Sequence, residues 1–68
     1  MFTRKTYLIY PPDYKPGDGY RRCKSLFKAK KIANKLGKGA QVDCIIQIHE
    51  KPFTDWVSLS AYIVGVVE

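Results

Sequence analysis

Sixty-eight residues with a net charge of +6 and 46% apolar content fit one globular domain near the lower size limit for a self-sufficient hydrophobic core. That apolar fraction excludes a disordered chain. The longest uncharged run, Trp56 to Val67, is too short for a membrane-spanning helix and carries two serines.

The opening residues, Met1 to Lys5, are followed by only a short apolar run without a small-residue cleavage site, so no secretory signal is expected. Two cysteines in such a chain read as reduced thiols. The expected location is cytoplasmic, with no membrane partner.

In chain order, Thr3 to Tyr10 is rich in β-branched and aromatic residues and predicts a first strand. Pro11-Pro12 ends it, because proline cannot donate to a ladder. A loop follows, in which Pro16-Gly17 suits a type II turn. Residues Tyr14 to Cys23 have an alternative reading as a short hairpin against the first strand.

Ser25 to Leu36 is the most informative stretch. At about 100° per residue, Leu26, Ala29, Ile32, Ala33 and Leu36 share one helix face. Ser25 is the expected N-cap, with Lys28 where a capping box would want Glu or Gln. Gly37 is the expected terminator. Lys24, Lys28, Lys31 and Lys35 then line up on roughly the opposite face, and Lys38 lies just beyond. After Gly39 the period changes to two: Val42, Cys44, Ile46 and Ile48 alternate with Gln41, Asp43, Ile45, Gln47 and His49, a half-buried second strand. Residues 50 to 55 form a connection. Trp56 to Val67 is a third strand whose lack of charge suggests a central position, with Gly65 marking a bulge.

The resulting expectation is an α+β, two-layer sandwich of order β-α-β-β in one domain over residues 1 to 68. Its three-stranded antiparallel sheet has order 2-3-1, and one helix packs on one face.

Charge is distributed unevenly. Arg21, Arg22, Lys24, Lys28, Lys30, Lys31, Lys35 and Lys38 hold eight of the twelve cations, and no acid lies between Asp18 and Asp43. A solvated surface is the plain explanation of a charged helix face. Against it, lysines at i,i+3 and i,i+4 repel by about 0.2–0.5 kcal/mol per pair, and cations near a helix N-terminus oppose the macrodipole. A polyanion reverses both effects. The expected anion-binding residues are therefore Arg21, Arg22, Lys24, Lys28, Lys31, Lys35 and Lys38, meeting DNA or RNA backbone by charge and shape.

Tyr14, Tyr20, Phe27 and Trp56 are candidate stacking residues or partner anchors. For Tyr10 and Tyr20, packing over the edge of a small core with hydroxyls in water is the simpler role. Phe27 falls off the apolar helix face.

Cys23, Cys44 and His49 lack zinc-site spacing, and Cys44 and His49 point to opposite faces of a strand. No carboxylate pair, nucleophile–base set, phosphate loop or calcium loop appears. The chain therefore reads as a non-enzymatic binding module with no metal and no cofactor. The rival reading is a protein-interaction or inhibitor module, of the small accessory kind that phages encode. It would grip an acidic protein surface, with a homodimer through the sheet as a further option.

Overall fold

The computed structural model describes residues 2–49 and 55–68. Five elements follow in the order β1 (Phe2–Tyr10), β2 (Arg21–Cys23), α1 (Leu26–Leu36), β3 (Gln41–His49) and β4 (Val57–Val66). The sheet has four strands in the order β2-β1-β3-β4, and every neighbouring pair is antiparallel. The single helix and antiparallel sheet are as expected. The strand count and order are not.

The expected three-stranded sheet of order 2-3-1 is corrected by β2. After Pro11-Pro12 the loop turns at Lys15–Asp18, where Gly17 has φ 97° and Asp18 N–H donates to Lys15 O at 2.9 Å. This is the type II turn that Pro16-Gly17 favours. It returns the chain as a hairpin that pairs Tyr7 with Cys23 and Ile9 with Arg21. The chain is thus reversed before it enters the helix. The crossover joins β2 to β3, not β1 to β3, and β1 slots between them antiparallel to both.

The second correction concerns β4. Its uncharged sequence suggested a central strand, yet β4 lies at the sheet edge, bonded only to β3. Val57, Leu59, Tyr62, Ile63 and Val66 remain 48–64% exposed. Both register shifts against β3 fall here, between Val42 and Asp43 and between Ile46 and Gln47. The first adjoins Gly65, as the sequence suggested. The connection expected over residues 50–55 lies, but for Asp55, outside the described residues.

Helix α1 begins and ends where its caps dictate. Ser25 is extended (φ −116°, ψ 126°) and its Oγ accepts from Lys28 N–H at 3.4 Å. Gly37, at φ 102°, donates its N–H to Ala33 O at 3.0 Å. Positive φ at this position favours glycine.

The helix packs on β1, β2 and β3 and makes no close backbone approach to β4. Its contact face is small. Ala29 and Ala33 are fully buried against Tyr7, Ile9, Val42 and Cys44, with Ala40 completing the cluster. Leu26 and Ile32 pack at its margin, whereas Leu36 is 37% exposed. Two methyl-sized side chains bring helix and sheet close together, and an interior of this density resists enlargement.

Ala33→Leu is therefore expected to destabilise the fold by about 1–3 kcal/mol. Urea unfolding followed by circular dichroism checks this; an unchanged midpoint would contradict the packing.

Candidate functional site

The residues singled out by sequence divide among several surfaces. Lys28, Lys31 and Lys35 form an exposed row on α1, away from the sheet. Seven residues separate the first from the last, a run of about 10 Å. Among the described residues no carboxylate lies within 4.0 Å of these ammonium groups. The nearest acids in sequence are engaged elsewhere: Asp18 Oδ2 accepts from Lys15 N–H at 2.9 Å, and Asp43 Oδ1 accepts from Gln41 Nε2 at 2.8 Å. Phe27 is 69% exposed on the same helix, and Lys31 Nζ lies 4.9 Å from its ring centroid. This is a cation–π contact, and it leaves the charge in place.

Lys24 does not extend this helical row. It precedes the N-cap and lines a groove with Arg4, Thr6, Leu8, Tyr20, Arg22, Cys23, Ile45, Gln47 and Ser58. Arg21 and Arg22 also part company. Cross-strand partners share a face, so Arg22 opposite Leu8 points away from α1, and Arg21 opposite Ile9 points to the helix side. Arg21 borders a hollow with Ile9, Pro11 and Leu36. Lys38 is exposed in the turn that follows the helix.

The sheet face remote from α1 holds what the sequence did not reveal. Register places Arg4 opposite Gln47, Thr6 opposite Ile45, and Leu8 opposite Asp43 on this face. Arg4 Nε donates to Gln47 Oε1 at 2.8 Å, and its guanidinium carbon sits 4.1 Å from the Trp56 ring centroid. His49 flanks the same indole, with ring centroids 5.2 Å apart.

At the other end, Arg22 Nη2 donates to Tyr20 Oη at 3.1 Å and lies over that ring at 5.6 Å. Tyr20 in turn leans on Tyr10 at 5.4 Å, and Tyr14 meets Tyr10 edge-on at 4.8 Å. Both arginines are thus held by neutral groups, which fix their planes without cancelling their charge. Asp43, the one described acid borne by β3, lies between β1 and β4 on this face. The alternation of β3 had already put Gln47 and His49 on one face, but Arg4 was not anticipated there, since its meeting with Gln47 depends on pairing across 43 residues of chain.

Among the described residues, environment shifts three groups. Burial raises the Tyr10 hydroxyl above its ordinary value, and the charges of Asp43, Tyr14 and Tyr20 add to this while Arg22 opposes it. The hydrogen bond that Arg22 donates to Tyr20 Oη raises Arg22 further above its already high value. On the helix side, the neighbouring Cys44 thiol raises Tyr62. Cys44 is buried and faces the core, opposite to His49. No group of three potential metal ligands gathers among the described residues, and no described helix is long and apolar enough to cross a membrane.

No known protein family, curated protein or solved structure gives a match to this chain.

A phenol whose pKa is raised on folding contributes stability below its unfolded value and loses it as pH rises through the folded one. Tyr10 is therefore expected to ionise above the ordinary tyrosine value of 10.0, with stability falling over that range. Absorbance titration near the phenolate band should show a late-ionising tyrosine that Tyr10→Phe removes. A titration unchanged by Tyr10→Phe would contradict the assignment.

Proposed function

We propose that this protein is a non-enzymatic binding module that holds the sugar–phosphate backbone of a nucleic acid on the solvent face of α1. The observation that carries the reading is the exposed row Lys28, Lys31 and Lys35, which has no carboxylate partner among the described residues. An ammonium row of this kind repels itself in the free protein and is relieved by a polyanion. Lys24 and Arg22 extend the positive field around the N-terminal end of the helix, and Lys38 extends it past the other end. The contact is electrostatic, so it reads charge and spacing rather than bases.

Position 28 tests the reading. Lys28 occupies the third helical position after Ser25, where Glu completes a capping box and favours the macrodipole. Lys28→Glu is expected to raise stability by about 0.5–1 kcal/mol while weakening duplex binding. The combined Lys28→Gln, Lys31→Gln and Lys35→Gln variant should flatten the plot of log affinity against log salt by about 2.7, at about 0.9 per phosphate contact. Fluorescence anisotropy with a labelled duplex measures both. Equal slopes for the parent and the triple variant would overturn the proposal.

A second reading, a protein-interaction module that pairs with another copy of itself, is favoured by one observation: the outer edge of β4, which pairs with no further strand among the described residues. Edge strands of monomers are commonly blunted by charge or proline. Val57–Val66 has neither, and its apolar side chains are exposed. An uncharged edge is also where two copies of a +6 chain repel least. Between the two register shifts, Ser60 to Ile63 pairs regularly with β3, leaving a straight segment for antiparallel self-pairing about a two-fold axis. The radius of gyration of 13.1 Å exceeds the roughly 11 Å expected of a compact domain of this length. Ile63→Lys is expected to convert a dimer to a monomer in sedimentation equilibrium. A parent chain that is monomeric at high micromolar concentration would remove this reading.

A further inference from the structure

We infer that the groove on the sheet face remote from α1 is a site for single-stranded nucleic acid, holding unpaired bases between two arginine–aromatic shelves. The inference rests on the nucleic-acid reading above but assigns it a second surface with a different ligand form.

The groove has a volume of about 430 Å³ and is lined by three cations, Arg4, Arg22 and Lys24, and, among the described residues, by no acid. Its floor carries Leu8 and Ile45, which stand on the same face as Thr6 and the two arginines. At one end the Arg4 guanidinium carbon sits 4.1 Å from the Trp56 ring centroid, and its Nε is pinned by Gln47 Oε1 at 2.8 Å. At the other end Arg22 is anchored on Tyr20.

Four residues of β1 separate Arg4 from Leu8, the cross-strand partner of Arg22, so the shelves stand about 13 Å apart along the strand. That spacing lets the two arginines take separate phosphates of one strand. The intervening base then lies on the apolar floor or stacks on a guanidinium plane.

Apolar floor and stacking shelf both call for exposed π-faces, which a duplex hides and a single strand offers. A free phosphate or an acidic peptide would use the cations but not the floor or the rings. The guanidiniums are also held in place by an amide and a hydroxyl. Little side-chain freedom is then lost on binding, and no described carboxylate has to be displaced.

Trp56 is the only tryptophan in the chain, so its emission reports on one end of the groove. The experiment titrates the full chain with a labelled oligothymidylate and with a labelled duplex, recording label anisotropy and tryptophan emission together. The expected result is that the single strand changes Trp56 emission and the duplex changes it far less.

Trp56→Leu removes the ring that backs the Arg4 guanidinium and should weaken single-strand binding about tenfold, the cost of losing that plane as a stacking shelf. Arg4→Gln and Arg22→Gln should each lower the single-strand salt slope by about 0.7. Arg4→Lys should restore the slope but not the affinity, because a lysine keeps the charge and loses the plane. Circular dichroism of each variant establishes that it is folded.

If the single strand binds by anisotropy while Trp56 emission and the two arginine variants are unaffected, the groove is not the site, though the lysine-row reading stands. If neither strand form binds, that reading and this inference both fall.

Discussion

The architecture turns on one mismatch: a single helix of eleven residues must seal a sheet of four strands. It does so by close approach at a small area. Ala29 and Ala33 let the helix settle onto Tyr7, Ile9, Val42 and Cys44, and only eight described residues are buried hydrophobics. The helix covers β1 and its two neighbours and stops short of β4. Everything else about the surface follows from where that cover ends. The opposite sheet face has no second layer among the described residues, and the last strand projects with most of its apolar residues in water, while Val64 packs against the core.

Within that frame the positive charge is arranged in two distinct ways. On the helix it is mobile: long lysine side chains, exposed and separated by turns, with no described carboxylate nearby. On the far side of the sheet it is fixed, as two guanidiniums bound to an amide and a phenol and backed by rings. Flexible ammonium groups suit a diffuse array of phosphates, whereas oriented guanidinium planes suit a ligand with defined geometry. Lys24, at the junction between β2 and the helix, stands between the two arrangements.

Much of this was legible in the sequence where the signal is local. Ser25, Gly37 and the spacing of Leu26, Ala29, Ile32 and Ala33 defined the helix to within a residue. The alternation from Val42 to Ile48 defined β3 and its inward face, and Pro16-Gly17 defined a turn. What escaped had non-local causes. The β1–β2 hairpin was open only as the alternative reading of Tyr14 to Cys23, because the three residues of β2 are too few to show a period, yet they reverse the chain and so change the sheet order. An uncharged run tells that a strand lacks charge, not that it is covered, and β4 is uncovered. The meeting of Arg4, Gln47 and Trp56 requires both the β1–β3 and β3–β4 registers. Neither register can be read from spacing. The separation of Arg21 from Arg22 follows once β2 is known to be a strand, since neighbours on a strand face opposite ways.

The ladder between β1 and β3 has a consequence for how the chain acquires its shape. It joins Phe2 to His49 and Tyr10 to Gln41, so its shortest pairing already closes a loop of about thirty residues. Such long-range closure places the protein among slow-folding topologies for its size. During synthesis, the first strand leaves the ribosome with only the three residues of β2 for company. It must wait for residues 41–49 to emerge before its other edge is satisfied, which makes assembly of this sheet a late and nearly all-at-once event.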